Sequence, residues 1–530
     1  MKEVKVMKKR IFAILTLCAL VLSGCGANMK DGAPMEGDGG APNYDFLGNY
    51  NYSVDAEPKE EVDGGADGAP SDGGVDVGDD VAPLPEIIEN KFINTSIEPV
   101  STFSSDVDTA SYAYFRKLVN MGYKLSQLKN TGKYAIRTEE FVNYFNYSYN
   151  EPKNGELFGI TVSASVCPWN KDNVLLTVGL KADDAVEKTK NNLVFLIDVS
   201  GSMNSEDKLQ LLQKSFTHLV KNLSEDDTVS IVTYAGSEKV VLDGAKGNEH
   251  SKILSAINNL ESGGSTNGES GLKTAYQIAE KYMSNDANNR IIMASDGDLN
   301  VGISSSDELK AFVEQKRDLG VYLSVLGFGT GNYKDRNMEA IADNGNGVYY
   351  YIDGETEAEK VFGEKLFSTL YTVAKDVKLQ LTFNPDNVSK YRLVGYENRL
   401  LNKEDFENDT KDAGELGAGH TVTVCYELVL TDSAKTSDGE WMTLAVRHKK
   451  PTETMSNLNE YELDKSIYTD TPSDDFKFIG AVIETTMLLR ESKYIGSVTF
   501  EDVQKTLNEL TLTNSPDRYE FRELINKLTD

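Results

Sequence analysis

The stretch NLVFLIDVSGSM, residues 192–203, changes from apolar to polar at a single residue, Asp198. Its first half is a nearly continuous apolar run, which is typical of a β-strand buried on both faces of a parallel sheet. Its second half consists of small polar residues and a glycine, which are typical of a loop. The stretch therefore predicts a strand with a polar loop at its carboxyl end, the edge at which open α/β sheets bind ligands.

Beyond this stretch, apolar runs typical of strands alternate with segments of helical periodicity. Strands are predicted at residues 192–198, 229–234, 290–294, 322–327 and 348–352, and helices at 208–223, 250–260, 271–283, 306–319 and 357–372. Because βα alternation favours parallel strands joined by helical crossovers, we expect an α/β fold with a doubly wound, mostly parallel, Rossmann-like sheet. This domain is predicted to span residues 190–373.

Two further polar loops are predicted at the same sheet edge. GGSTNG, residues 263–268, contains Thr266 and opens a helix, and SDGD, residues 295–298, contains Asp296 and follows a strand. With Asp198, Ser200 and Ser202, these loops offer three hydroxyl and two carboxylate groups. Such hard oxygen donors suit Mg²⁺, and with only two charged donors the ion keeps much of its Lewis acidity. We expect one site for Mg²⁺ or Mn²⁺.

The order of these residues resembles the metal-ion-dependent adhesion site of the von Willebrand factor type A (VWA) domain. The D-x-S-x-S run ends at Ser202, the threonine follows 64 residues later, and the aspartate follows 30 residues after that. The resemblance implies that the hydroxyls of Ser200 and Ser202 bind the ion directly. It implies that Asp198 and Asp296 bind the ion directly or through water. It also implies that Thr266 joins or leaves the coordination shell of the ion as the conformation of the domain changes. Ser295 stands where the family usually has threonine, which affects only a hydroxyl beside the ligands.

Alternating apolar residues return on both sides of this domain. They occur at residues 160–166 and 175–180 before it, and at 377–383, 391–396, 422–428 and 442–447 after it. This pattern predicts a β-sandwich of residues 151–189 plus 374–450, into which the VWA-like domain is inserted. Cys167 and Cys425 fall in its strands, and the sequence leaves open whether they form a disulfide or remain thiols. Residues 92–150 are predicted to be an N-terminal helical segment, and 451–530 a C-terminal helical domain.

The first 91 residues are predicted to export and tether the protein. A basic start and the apolar run 11–22 are typical of a signal peptide, and the run is too short to span a bilayer as a helix. It ends in LSGC, residues 22–25, which resembles a bacterial lipobox, so we expect a lipoprotein signal at 1–24 and lipid on Cys25. Residues 29–82 contain 11 Gly and 14 Asp or Glu against two Lys, so 25–91 is predicted to be a disordered acidic tether.

Charge and composition exclude several classes of protein. The chain of 530 residues has 84 acidic and 54 basic residues, a formal net charge of -30, which disfavours binding to nucleic acid. Four Cys and four His are too few for a disulfide scaffold or a His-rich metal site. We therefore expect no nucleic-acid partner, and membrane association only through the N-terminal lipid, on the extracytoplasmic face of the cell membrane.

Two weaker motifs have structural interpretations. Asp106 and Asp108 precede a helical run that begins at Ala110, and we interpret them as N-caps and helix-dipole partners, with a metal loop as the alternative. The glycine-rich GFGTG, residues 327–331, follows a strand but precedes no good helix start. It is predicted to be a turn and not a nucleotide-binding loop.

Four stretches extend the resemblance to one family of bacterial envelope lipoproteins that carry a VWA domain between characteristic extensions: STFSSDVDTASY (101–112), LGFGTGNY (326–333), YRLVGYEN (391–398) and KDAGELGAGHT (411–421). The resemblance implies a metal-dependent protein-binding module for adhesion or envelope assembly. Its metal would capture an exposed Asp or Glu of a partner protein.

The loops beside Asn204, Tyr234, Asn267 and Asp298 would select that partner. We do not expect an enzyme, because the sequence shows no base beside the metal. A metal-dependent hydrolase and a structural lipoprotein with an unused site are the alternatives.

Overall fold

The computed structural model describes residues 86–153, 155–184, 189–297, 306–329, 335–436, 439–451, 453–512 and 515–529. The predicted signal peptide, Cys25, nearly all of the predicted tether and Asp298 lie outside these residues. Within them, no helix combines the length and the apolar character needed to cross a bilayer.

The chain enters the described region through two short strands, three helices and a long hairpin. In chain order these are β1 (Ile93–Asn94), β2 (Val100–Ser104), α1 (Ala110–Asn120), α2 (Leu125–Ala135), α3 (Thr138–Asn143), β3 (Phe158–Cys167) and β4 (Asn170–Ala182). Helix α2 was not predicted. Only Leu128, Gly132 and Ala135 of its residues are buried, which leaves too narrow an apolar stripe for periodicity to reveal.

The central domain alternates strands and helices as predicted. Its elements are β5 (Lys190–Asp198), α4 (Leu209–Val220), β6 (Thr228–Tyr234), β7 (Glu238–Lys246), α5 (His250–Asn258), α6 (Gly268–Lys281), β8 (Ala287–Ser295), α7 (Ser306–Asp318), β9 (Val321–Phe328), α8 (Asp335–Asn344), β10 (Tyr349–Ile352), α9 (Glu355–Lys360) and α10 (Leu366–Leu370). The strand order is β10-β9-β8-β5-β6-β7, parallel except for the edge strand β7. The prediction of a doubly wound, Rossmann-like α/β domain with a mostly parallel sheet is confirmed.

Three elements of this domain differ from the prediction. Strand β7 was missed because it is a half-solvated edge strand with little apolar alternation, and helix α8 was missed as well. The single helix predicted at 357–372 is α9, a π-helical turn at Val361–Lys365 and α10, and it ends at Leu370. Its end is set by the next strand, which begins at Thr372.

The last part of the chain returns to strands and ends in helices. Its elements are β11 (Thr372–Phe383), β12 (Val388–Val394), β13 (Gly414–Gly417), β14 (Thr421–Leu430), α11 (Asp432–Thr436), β15 (Glu440–Lys449), β16 (Asn457–Asp464), α12 (Asp474–Leu489), α13 (Phe500–Glu509) and α14 (Pro516–Thr529). One sheet has the order β1-β12-β14-β4-β3, and the second contains β13-β11-β15-β16 with β2 paired to β11. Apolar side chains of both sheets share one core.

The sandwich is larger than predicted at both ends. Strands β1 and β2 lie within 92–150, which was predicted to be a helical segment, and β16 lies within the predicted helical domain 451–530. Strand β2 has five residues and pairs with β11, which is far away in sequence. In β16 only Tyr461 and Leu463 are buried, so its apolar alternation is too weak to predict a strand. These strands are recognised only by their partners.

Two residue-level interpretations are settled by the structure. Cys167 and Cys425 are buried free thiols, so no disulfide joins them. The interpretation of Asp106 and Asp108 as helix caps is wrong. Helix α1 has Thr109 at its N-cap without a side-chain cap bond, and both carboxylates instead bind the guanidinium of Arg399, at 3.1 and 3.3 Å.

Candidate functional site

The first predicted loop leaves the carboxyl end of β5 and holds three of the five predicted residues together. Asp198 is fully buried, and its Oδ1 accepts a hydrogen bond from the backbone N–H of Ser200 at 2.8 Å. The hydroxyl oxygens of Ser200 and Ser202 lie 3.0 Å apart. The loop then makes one 3₁₀ turn, Gly201–Met203. The two hydroxyls and the carboxylate therefore stand together at the sheet edge.

The second loop is fastened directly to the first by backbone hydrogen bonds. The N–H of Gly263 donates to the carbonyl of Val199 at 2.8 Å, and the N–H of Gly201 donates to the carbonyl of Gly264 at 3.1 Å. Thr266 follows on this loop, half-buried, two residues before α6 begins. Within the part of the chain that the structure describes, no hydrogen bond joins Thr266 to the other four predicted residues. The hydrogen bonds of Gly263 and Gly264 join its loop to the first loop.

The third loop follows β8 and adds the second carboxylate. Asp296 is 5% exposed. The preceding residue, Ser295, donates its hydroxyl to Asp198 Oδ2 at 3.4 Å, so β8 and β5 meet at these side chains. Asp296 Oδ2 accepts a hydrogen bond from Lys208 Nζ at 2.8 Å. Lys208 also donates to the carbonyl of Ser202, at 2.9 Å. Its ammonium therefore lies between the first and third loops.

Burial dominates the electrostatics of this edge. It raises the pKa of Asp198 to about 6, although hydrogen bonds from Ser200 oppose the shift and nearby Asp296 adds to it. The ionised form of Asp198 is therefore unfavourable without a positive partner. Tyr234, which was expected beside the partner-selecting loops, is fully buried at the end of β6, so its side chain is not available to a partner.

The chemistry of these donors fits a hard divalent cation. They comprise two carboxylates and three hydroxyls, and one of the carboxylates, Asp296, binds the ammonium of Lys208. Among the described residues, no group of three or more His, Cys, Asp or Glu side chains is placed to hold a metal ion. A metal here would therefore need the hydroxyl ligands as well as the carboxylates. This requirement matches Mg²⁺, which takes few protein carboxylates and keeps several waters.

A cavity of about 690 Å³ opens beside the first loop, between β7 and α5. Val199, which lies between Asp198 and Ser200 in sequence, forms part of its wall. The other lining residues are Thr233, Lys239, Val241, Leu242, Lys252, Ser255, Ala256, Asn259, Leu260 and Glu261. The wall is partly apolar, so the edge of the sheet offers room for an apolar side chain next to the oxygen donors.

The structure adds two residues that the sequence did not reveal. The sequence predicts Lys208 only as the first residue of a helix. Gly329 was read only as part of a turn, yet its backbone has φ +75° and lies against the Lys208 side chain. Lys208 is near Ser202 in sequence, but it is 88 residues away from Asp296. The glycine-rich composition of residues 327–331 was the only available signal.

Family models match most of the chain. The model described as "von Willebrand factor type A domain" matches residues 192–364, the one described as "von Willebrand factor" matches 83–177, and the one described as "Uncharacterized protein YfbK, C-terminal" matches 368–530. VWA domains typically mediate protein–protein interaction, often bind Mg²⁺ or Mn²⁺, and are mostly non-enzymatic binding modules.

Individual proteins show the same similarity. "Uncharacterized protein YfbK" of Escherichia coli strain K12 is 39% identical over 444 residues, covering 79% of this chain and 76% of the relative. "Uncharacterized protein sll0103" of Synechocystis sp. is 28% identical over 206 residues, covering 39% of this chain and 48% of that protein. A solved VWA structure from Catenulispora acidiphila has 16% identity and a TM-score of 0.40, covering 64% of this chain and 80% of that one. The identity and coverage shared with the Escherichia coli protein show that this chain belongs to the YfbK family of VWA-domain proteins.

Proposed function

We propose that the protein is a lipid-anchored, extracytoplasmic binding module that captures a partner protein through a divalent metal ion. The observation that carries this proposal is the convergence of Asp198, Ser200, Ser202 and Asp296 at one sheet edge. These residues come from the first and third loops, and Thr266 lies on the second loop, which is hydrogen-bonded to the first. The donor set is rich in neutral oxygens, and one of its two carboxylates, Asp296, binds the ammonium of Lys208.

The two serine hydroxyls would hold the ion, and the carboxylates of Asp198 and Asp296 would balance part of its charge. The ion supplies an electrophilic coordination position when it is bound. Because Asp198, Ser200 and Asp296 are buried and Ser202 is exposed, that position would face solvent at Ser202. A carboxylate from another protein is well suited to fill it, because a hard cation prefers a charged oxygen ligand. The neighbouring cavity would receive an apolar residue beside that Asp or Glu.

Metal binding is tested by thermal unfolding with Mg²⁺ and with chelator. We expect Mg²⁺ to raise the unfolding temperature of the natural protein, and Asp198→Asn or Ser200→Ala to abolish that rise. The control is Asp226→Asn, which neutralises an exposed carboxylate away from the site. A Mg²⁺-dependent rise that survives both site variants would show that the ion binds elsewhere.

Partner capture is tested by affinity purification from a cell-envelope extract with Mg²⁺, and again with chelator. We expect a partner that is recovered only with Mg²⁺, is lost with Ser200→Ala, and binds more weakly when one of its own Asp or Glu residues is neutralised. A partner that is retained through all three changes would contradict the metal-bridged carboxylate. Hydrolase assays on the same protein would reveal an enzymatic function instead.

Anchoring is proposed from the sequence around Cys25 and is tested separately. We expect Cys25→Ser to leave the signal peptide uncut or to release the protein into the soluble fraction, because the lipid is the proposed attachment. Cell fractionation followed by a salt wash provides the measurement. Salt-resistant membrane association of a fully processed Cys25→Ser protein would refute the lipid anchor.

A further inference from the structure

The ammonium of Lys208 is bound by oxygen atoms, as a metal ion would be. It donates to Asp296 Oδ2 at 2.8 Å and to the Ser202 carbonyl at 2.9 Å. The side chain of Lys208 is 14% exposed and that of Asp296 is 1% exposed, so the pair is largely withdrawn from water. A buried carboxylate that loses its positive partner destabilises a fold strongly. Lys208 therefore stabilises Asp296 in its present position.

The space for the Lys208 side chain is provided by Gly329, a residue outside the three site loops. Gly329 follows β9 with φ +75°, and a Cβ at this residue would overlap the Cε atom of Lys208 and crowd its Cγ and Cδ atoms. The hydroxyl of Tyr351 donates to the Gly329 carbonyl at 2.7 Å and holds that backbone in position. The glycine thus provides both the left-handed turn and the space in which the lysine extends toward Asp296.

We propose that Lys208 is an internal cation that occupies the ion-binding edge when no divalent ion is bound and thereby sets the affinity of the metal site. A divalent ion that binds Asp296 meets the repulsion of this ammonium, so the ammonium must move away from Asp296 as the ion enters. The lysine therefore weakens metal binding while it stabilises the protein without metal. This inference rests on the proposed function for the identity of the competing ion.

The test is the variant Lys208→Met, which keeps the apolar stem and removes the charge. Binding of Mn²⁺ to the purified full-length protein is followed by electron paramagnetic resonance, and binding of Mg²⁺ by calorimetry. We expect the variant to bind both ions about tenfold more tightly or better, because a positive charge that contacts a proposed ligand of the ion has been removed. In chelator, the same variant should unfold at a lower temperature than the natural protein.

Two controls separate this role from a general effect of substitution. Lys214→Met removes an exposed lysine charge from α4, the helix that begins directly after Lys208, and should change neither measurement. Lys208→Arg keeps the charge and should keep the weaker metal affinity. A residue that only supported the fold would not shift metal affinity and metal-free stability in opposite directions.

The outcomes distinguish this inference from the proposed function. If the natural protein binds metal and Lys208→Met binds it equally or more weakly, the competition by Lys208 is refuted and the metal-dependent function stands. If neither protein binds metal, both proposals are refuted. If only Lys208→Met binds metal, the lysine competes as proposed, and the natural protein does not work through a metal.

Discussion

At the scale of single residues, Glu484 illustrates an ionisable group that is buried where water is nearly absent. It lies in α12, a helix that is buried along almost its entire length, and it is 5% exposed. Burial raises the pKa of its carboxyl to about 7, and nearby Asp502 adds to the shift. The folded protein therefore favours the protonated form of a group that ionises near pH 4.3 in an unfolded chain.

The raised pKa of Glu484 has a definite sign in the stability of the protein. Its favourable contribution is complete below the unfolded pKa, falls as the pH rises, and is lost once the pH passes the folded pKa near 7. We expect Glu484→Gln to leave stability nearly unchanged at pH 4.5 and to raise the free energy of unfolding by about 3 kcal/mol at pH 8. Urea unfolding at both pH values measures the difference. An equal effect at both pH values would contradict the assigned pKa.

At the scale of elements, helix α13 shows how a short helix is started by its own sequence. Thr499 at the N-cap accepts a hydrogen bond from the backbone N–H of Asp502 at 3.3 Å, and Asp502 Oδ2 accepts one from the N–H of Thr499 at 3.0 Å. This reciprocal capping box satisfies two backbone donors that the helix itself cannot pair. The buried side chains Phe500, Val503 and Leu507 then attach the helix to its core.

Removing the cap should therefore weaken the protein by a modest amount. We expect Thr499→Ala to lower the free energy of unfolding by about 1 kcal/mol, the usual value for a lost Thr cap. Thr217→Ala is the matched control, because Thr217 is exposed within α4 and caps no helix end. Thr217→Ala should leave the free energy of unfolding unchanged or raise it slightly, since alanine favours helix interiors. Equal destabilisation by both variants would argue against the cap.

At the scale of the whole molecule, two largely buried arginines join segments that are far apart in sequence. Arg399, which follows β12 of the sandwich, contacts Asp106 and Asp108 of the N-terminal segment, and Asp343 of the VWA domain at 2.9 Å. Arg116 of α1 similarly joins Asp353 and Glu357 of the VWA domain and Glu520 of α14. The VWA domain is therefore bound to both of its flanking regions by charge pairs whose arginine side chains are largely shielded from water.

Breaking one of these junctions should affect the entire fold. We expect Arg399→Met to lower the free energy of unfolding by about 3 to 5 kcal/mol, because it leaves buried carboxylates without their positive partner. Lys281→Met is the control. It removes a pair between α6 and Asp243 of β7 in which both side chains are about half exposed, and it should cost less than about 1 kcal/mol. Chemical unfolding followed by circular dichroism distinguishes these values, and similar losses in both variants would contradict the role of Arg399.

The sequence by itself determined the VWA-like domain and the polar residues at its sheet edge. Both depend on local rules: apolar runs and helical periodicity define the elements, and parallel strands bring their carboxyl ends to one edge. The loop geometry of Asp198, Ser200 and Ser202 agrees with that reasoning. That reasoning could not show that Cys167 and Cys425 are free thiols, because the formation of a disulfide depends on where two strands lie and not on their composition.

Only the tertiary structure decided which distant groups meet. Strands β2 and β16 carry weak patterns and become strands through pairing with β11 and β15. Asp106 and Asp108 resemble helix caps until Arg399, nearly 300 residues away, is placed beside them. Lys208 contacts Asp296 and Gly329, on two loops that are far from it in sequence. A local pattern reports what a segment can bury, whereas the partner of a charge is set by the folding of the entire chain.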